Sequence, residues 1–298
     1  MENKEFDSKL AALTQTAKKT GRVSLRDKHE TGQLMLWQEY ERAIPNTLAR
    51  CSLFSVRNRS EKRTSFLASS KLEIPIGDKG KLSYNGEELR QDEETVWLQL
   101  VHISKQAKSN TFSIVPYTFL KSINWDTNGK SYTRLTQCLS RLASANIEVY
   151  NASTKWTQNT RLLALYGFNE AIDKDVQIKL YDDEDDLMFL FSQNMYSKIN
   201  WEMRLKLPVG IATWLHSFYA THREPFELSV EYLAAHAGLK LSDSQDSKLS
   251  PLEKQRARKR RIYEAKRNIE KALQNLVSVG FLKAFQITEN FKVVVERA

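Results

Sequence analysis

Two runs of the order helix, short strand, helix, turn, helix, hairpin, one in each half of a 298-residue chain, predict an α+β fold. The expected architecture is two tandem winged-helix domains, each a helix-turn-helix followed by a β-hairpin wing, behind a basic, partly flexible N-terminal arm. Two observations carry this. Leu135, Leu139, Leu142, Ala143 and Ile147 map onto Ile269, Leu273, Leu276, Val277 and Phe281 at a constant offset of 134, and Phe112 and Ile114 map onto Phe226 and Leu228 at an offset of 114. The second copy therefore carries about twenty extra residues between its helices, and they contain the most basic run in the chain.

Residues 1–43 are polar and charged and are read as the arm, with a helix around Gly32–Arg42. The first domain is placed at 44–190. It opens with strands over Ser65–Pro75 and Lys81–Tyr84, separated by the turn Gly77-Asp78-Lys79-Gly80. Asp92, Glu93 and Glu94 suit the positive end of a helix dipole, and Val96, Trp97, Leu100, Val101 and Ile103 follow at helical spacing. A short strand over Thr111–Val115 precedes a helix from Pro116, where proline is tolerated in a first turn. After Asp126–Gly129 comes a helix over Lys130–Ser144, then strands over Asn146–Asn151, Thr160–Phe168 and Asp175–Tyr181. The second domain, 191–298, reads as helices Pro208–Thr221, Val230–Ala237 and Leu252–Val279, a strand Phe226–Ser229, and a closing hairpin of Phe281–Thr288 and Phe291–Glu296.

Composition narrows the function classes. An apolar fraction of 41% is enough for ordinary cores, and two cysteines, Cys51 and Cys138, cannot build a disulfide framework. There is no apolar run of the roughly 20 residues that span a bilayer and no secretory h-region, so the expected location is the cytoplasm, with no membrane partner. A net charge of +9 points to a polyanion. Basic residues concentrate at Arg57–Arg63 and Lys254–Arg267, and an acidic block spans Asp182–Asp186.

Helical geometry assigns faces to the third helix of each copy. In the second copy Ile262, Ala265, Ile269, Ala272, Leu273 and Leu276 form one apolar stripe. Arg256, Arg260, Tyr263, Arg267 and Lys271 fall opposite, while Arg258, Lys259 and Arg261 lie in turns almost without apolar residues, which would project beyond the core. A solvated surface is the alternative, but such helices usually alternate charge signs in i,i+4 pairs, and acids are scarce here. These residues are therefore DNA-contact candidates. The first copy packs through Leu135, Leu139 and Leu142 and presents Lys130, Thr133, Arg134, Gln137 and Arg141, a face equally suited to DNA or to plain solvent. Lys155, Arg161 and Lys292 are weaker candidates on the wings.

Enzyme chemistry finds no support. Asn128-Gly129-Lys130-Ser131 ends like a phosphate-binding loop, yet the upstream glycine position holds Asn124. The five histidines His29, His102, His216, His222 and His236 show no metal-ligand spacing, and Asp182, Asp183, Asp185 and Asp186 read as a solvated corner. Tyr132 and Tyr263 could attack DNA only in company with a histidine pair that is missing. No catalytic residue, metal or cofactor is expected.

Five stretches in order, IPNTLARCSLFSVRNR (44–59), LSYNGEELRQDEETVWLQL (82–100), YTRLTQCLSRL (132–142), MYSKINWEMRLKLP (195–208) and THREPFEL (221–228), resemble plasmid replication initiators of the TrfA type. The resemblance covers about 44–298, leaves out the first 43 residues, and departs at the longer, more basic third helix of the second copy. It implies two winged-helix domains that bind directly repeated origin sequences, the iterons, as double-stranded DNA. It implies melting of adjacent AT-rich DNA, contact with the resulting single strands, and recruitment of the host initiator, replicative helicase and sliding clamp without nucleotide hydrolysis. It also implies a monomer–dimer equilibrium. Clamp docking would fall to Leu53 and Phe54, although two apolar residues beside a strand also fit a core. The rival readings are a winged-helix transcriptional regulator or autorepressor, and a nicking initiator.

Overall fold

The structure is a computed structural model that describes residues 38–76, 80–151, 156–168, 175–181, 191, 196–241 and 250–298. Most of the arm, the turn at 77–79, Lys155 and the acidic block at 182–186 lie outside the described residues.

The chain enters through β1 (Glu41–Pro45), α1 (Asn46–Ala49), β2 (Phe54–Ser55), β3 (Ser65–Phe66), β4 (Leu72–Ile76), β5 (Gly80–Glu87) and β6 (Leu89–Arg90). Helix α2 (Gln91–Ala107) starts where expected, because Glu93 reaches back to accept the Arg90 backbone N–H at 2.8 Å. It stops at Lys108, whose φ of 51° is left-handed. Then come β7 (Thr111–Ile114), α3 (Pro116–Ser122) and α4 (Gly129–Ser144), whose N-cap Asn128 accepts from the Ser131 amide at 3.0 Å. The strands β8 (Asn146–Asn151), β9 (Trp156–Arg161), β10 (Leu165–Phe168) and β11 (Val176–Lys179) complete this half.

Here the expected hairpin divides. The stretch read as one strand over Thr160–Phe168 breaks where Leu162 and Leu163 turn into the core, and the chain changes sheets. Strands β8 and β9 join β5, which also pairs β3 and β4, whereas β10 and β11 form the antiparallel sheet β10-β11-β7. The latter sheet is the wing, since its central strand returns to the short strand ahead of the helix pair. The strand expected over Ser65–Pro75 is likewise two, β3 and β4.

The second half holds β12 (Tyr196–Asn200), α5 (Trp201–Lys206), α6 (Ile211–Ala220), β13 (Leu228–Ser229), α7 (Val230–His236), α8 (Pro251–Ser278), β14 (Leu282–Ile287) and β15 (Lys292–Arg297). Its wing is the sheet β13-β15-β14, matching β7-β11-β10 in connectivity. Ser229 caps α7 by accepting from the Tyr232 amide at 3.0 Å. Trp214, Phe218, Leu233, Leu273 and Leu276 are central to its core.

The offset of 134 holds in the pattern of burial. Leu135, Leu139, Leu142 and Ile147 are buried, as are Ile269, Leu273, Leu276 and Phe281, and both members of the pair Ala143 and Val277 are half-buried. The equivalence of Phe112 with Phe226 does not hold, because Phe226 is 60% exposed and packs on His222.

Residues Gln38–Ala298 pack as one unit. The early segment 41–57 is one reason: β1 pairs antiparallel with β12, Trp214 Nε1 donates to the Cys51 carbonyl at 3.2 Å, and Arg50 donates to Thr221 Oγ1 and O at 2.7 Å each. The Val56 amide donates to the Ala237 carbonyl at 3.0 Å. Gly238 follows with a φ of +82°, and a Cβ there would meet Ser55 at 3.0 Å, so this close approach requires glycine.

Candidate nucleic-acid interface

Twenty-eight residues make α8 about 42 Å long. Its buried residues, Ala265, Ile269, Ala272, Leu273 and Leu276, all lie in the C-terminal half. Residues 251–264 include none, with Ala257 and Ile262 only half-buried, so this half of the helix runs beyond the core with little apolar burial to hold it. What holds its end is local: Pro251 occupies the first turn, Ser250 N–H donates to Glu253 Oε2 at 2.8 Å, and Glu253 N–H returns to Ser250 Oγ at 3.4 Å.

Arg256, Arg258, Lys259, Arg260, Tyr263, Arg267 and Lys271 are all exposed on α8, and Arg261 is half-buried. The acids present do make contacts: Arg260 Nε lies 3.8 Å from Glu264 one turn on, and Arg258 pairs with Glu231 of α7. The i,i+4 pairing not expected from the sequence thus forms between Arg260 and Glu264, exposed side chains where such pairs contribute little. Where α8 leaves its core it is braced from outside. Phe291, at the turn of the β14–β15 wing, packs edge-on against Tyr263 with ring centroids 5.0 Å apart, and Lys266 sits over the same ring at 5.1 Å. Phe291 holds a φ of +58°, a conformation costly for a bulky residue, and its carbonyl accepts from Val230 at the start of α7. Sequence reasoning missed this brace, for a left-handed turn is expected of the preceding Asn290 rather than of a phenylalanine.

On α4 the exposed face is Lys130, Thr133 and Gln137. The other two basic residues of this row, Arg134 and Arg141, turn toward carboxylates. Arg134 Nε donates to Asp92 Oδ2 at 2.9 Å, Nη2 pairs with Oδ1 of the same carboxylate, and the guanidinium lies 3.4 Å from the Trp125 ring centroid. Arg141 bridges Glu93 Oε1 and Glu87 Oε2, each at 3.1 Å. Burial works against its charge, but Glu93 and Glu87 outweigh burial and raise its pKa. Both guanidiniums face carboxylates on α2 or just before it.

The arginines of the run Arg57–Arg63 are paired in the same way. Arg57 pairs with Glu61 and Glu88, Arg59 with Asp92, and Arg63 with Glu93, while Arg90 joins Glu88. Arg161 is exposed at the end of β9, and Lys292 pairs with Glu227 at 3.5 Å.

Leu53 and Phe54 are 2% and 1% exposed. Phe54 lies 6.3 Å from Trp97 between ring centroids and heads β2, which pairs in parallel with β6. Both side chains fill the core, the alternative that the sequence left open for them. Cys51 and Cys138 are buried free thiols, and burial pushes both well above the ordinary thiol range. Among the described residues no group of three or more His, Cys, Asp or Glu is placed to hold a metal ion, and no helix is long and apolar enough to cross a membrane.

Residues 3–256 match the protein-family model described as TrfA protein. The match takes in the arm that sequence reasoning had set aside, and it ends at Arg256, so most of α8 lies beyond it. The plasmid replication initiator protein TrfA of Escherichia coli is 28% identical over 197 residues, which is 65% of this chain and 50% of that protein. The chain thus spans about half the length of this curated relative. A crystal structure of selenomethionine derivatives of domains 2 and 3 of RctB is similar with a TM-score of 0.55 at 11% identity, covering 85% of this chain and 98% of that one. Another crystal structure of RctB domains 2-3 gives 0.51 at 10% identity over 85% and 97%. At these identities the likeness is one of fold.

Proposed function

Since the chain belongs to the TrfA protein family, we propose that it initiates plasmid replication by binding repeated origin sequences, the iterons, as double-stranded DNA. The observation that carries this reading is the N-terminal half of α8, which projects past its own core with Arg256, Lys259, Arg260 and Tyr263 exposed. A helix of this kind fits a major groove, where phosphate contacts set register and base-edge hydrogen bonds select sequence. In this reading the winged-helix domains 44–190 and 191–298 each present one helix. The contribution of α4 is made by Lys130, Thr133 and Gln137, a nearly uncharged set suited to base edges, while α8 supplies the charge.

The mechanism is binding energy rather than catalysis. Neutralising phosphates releases counterions, and DNA bent or wrapped against the protein favours melting of neighbouring AT-rich sequence. The remaining steps belong to the same proposal: contact with the melted single strands, recruitment of host initiator, helicase and clamp, and a monomer–dimer equilibrium, all in the cytoplasm. With Leu53 and Phe54 in the core, clamp contact would have to use other residues.

Footprinting on the DNA flanking the gene should show evenly spaced protected repeats. Arg256→Ala and Arg260→Ala should each weaken binding to a repeat duplex by about 1–3 kcal/mol if they read bases. Equal losses on random duplex would make them phosphate contacts, and no loss on either would remove α8 from the interface. An autorepressor would give the footprint but fail to support a plasmid deprived of its own initiator.

A further inference from the structure

Helices α2 and α6 are the equivalent first helices of the two repeated units, and both are almost entirely buried. Helices buried on all sides are usually apolar. These two instead turn polar groups toward one another, Gln91, Glu94 and Thr95 from α2 and Thr213 and Ser217 from α6. Thr213 Oγ1 donates to Gln91 Oε1 at 2.7 Å, and Ser217 Oγ donates to Glu94 Oε1 at 2.8 Å. Arg204 of α5, 1% exposed, lies between them. Its Nη1 donates to the Thr213 carbonyl at 3.1 Å and Ser217 Oγ at 2.8 Å, while its Nη2 reaches Gln91 Oε1 and Thr95 Oγ1 at 3.4 Å and Glu94 Oε2 at 3.5 Å.

A buried ion pair of this kind stabilises little compared with apolar residues of the same volume, but parting its members costs several kcal/mol. An apolar seam can slide and repack; a forked guanidinium between two helices leaves an unpaired charge if either moves. The network is also continuous with both DNA-facing helices. On one side α4 is tied to α2 through Arg134–Asp92 and Arg141–Glu93. On the other, α8 packs its apolar stripe into the core that α6 shares.

We infer that Arg204 and Glu94 are positioning residues that fix the separation and phase of α4 and α8, so that the protein accepts a duplex site of one length only. This rests on the proposed DNA reading. Each base pair inserted between the two contacts moves one by about 3.4 Å and rotates it by roughly 34° about the duplex. A rigid pair of helices cannot follow.

Arg204→Ala would strand a buried carboxylate, and its failure to fold would be uninformative, so the variant is the volume-matched pair Glu94→Leu with Arg204→Met. Nitroxide labels at Ser140→Cys and Lys271→Cys, both exposed, report the distance between α4 and α8 without DNA. The parent should give one narrow distance distribution, and the folded double variant a distribution at least twice as broad. The probe for binding is a duplex selected by the parent protein from a randomised library. Two base pairs inserted at the centre of its protected region should cut parent affinity at least tenfold and that of the double variant less than threefold. Equal widths, or equal intolerance of the insertion in the folded double variant, would overturn the inference. If the parent selects no duplex while the distances behave as described, it is the DNA reading that falls, and the lock stands.

Discussion

Arg134 and Arg141 looked, from helical spacing alone, like the charged members of a DNA-facing row, and both turn inward to Asp92 and Glu93. Their partners lie 42 and 48 residues away, a distance over which periodicity carries no information. His216 belongs to the same group of residues whose surroundings had to be seen. It is fully buried edge-on to Phe281 at 4.4 Å, and neither ring nitrogen has a hydrogen-bond partner among the described residues. Burial first, then the charges of Arg204 and Arg297, push its pKa down to about 3 from an ordinary 6.5. Burial, with Arg42 and Lys105, pushes His102 down to about 4. The folded state therefore keeps both rings neutral while the unfolded chain protonates them below about pH 6.5. Their contribution to stability is complete above that pH and is lost progressively as the pH falls toward 3 and 4. His216→Leu should raise stability at pH 7 by about 1 kcal/mol, because a buried polar group without a partner is removed, and should flatten urea midpoints measured between pH 6.5 and 4. An unchanged acid slope would show that His216 is not responsible for it.

Most of the longer helices were legible because they carry their own start signals, whereas the four-residue α1 and the six-residue α5 were not foreseen. Acids open α2, Pro116 opens α3, Asn128 caps α4, and Ser229 caps α7, so the expected limits are met within a few residues. The short strands were not. β2 and β6 have two residues each and form a parallel pair, Phe54 with Leu89, that no local pattern announces. The wing of the first half was misplaced because two hairpins in succession follow α4, and only pairing with β7 tells them apart. For α8 the apolar stripe and the basic face were both readable, but its free half depends on the cap at Ser250. Ser250→Ala should leave global stability unchanged and fray the first turns, with amides of residues 252–256 exchanging about fivefold faster, as expected for a cap contributing about 1 kcal/mol. Affinity for DNA should fall with it. Exchange rates equal to those of the parent would show that the projecting half is held by something other than its cap.

The two repeated units share a buried polar seam and a strap, residues 41–57, that belongs by sequence to the first half and by contact also to the second. Residues 38–298 should therefore unfold in one transition, with calorimetric and van't Hoff enthalpies in agreement. Two resolved transitions would mean that the seam does not couple the halves. The strap has a further consequence in time. Strand β1 is made early, yet its partner β12 follows about 150 residues later. At a synthesis rate of roughly 5–20 residues per second, β1 leaves the ribosome some 8–30 s before it has anything to pair with. For that interval the emerging first half carries an unpaired strand edge, Ile44 and Leu48 without their cover, and an unoccupied acceptor at the Cys51 carbonyl. The protein is thus most exposed to misassociation while it is being made, and the strand that begins the fold is among the last to be secured.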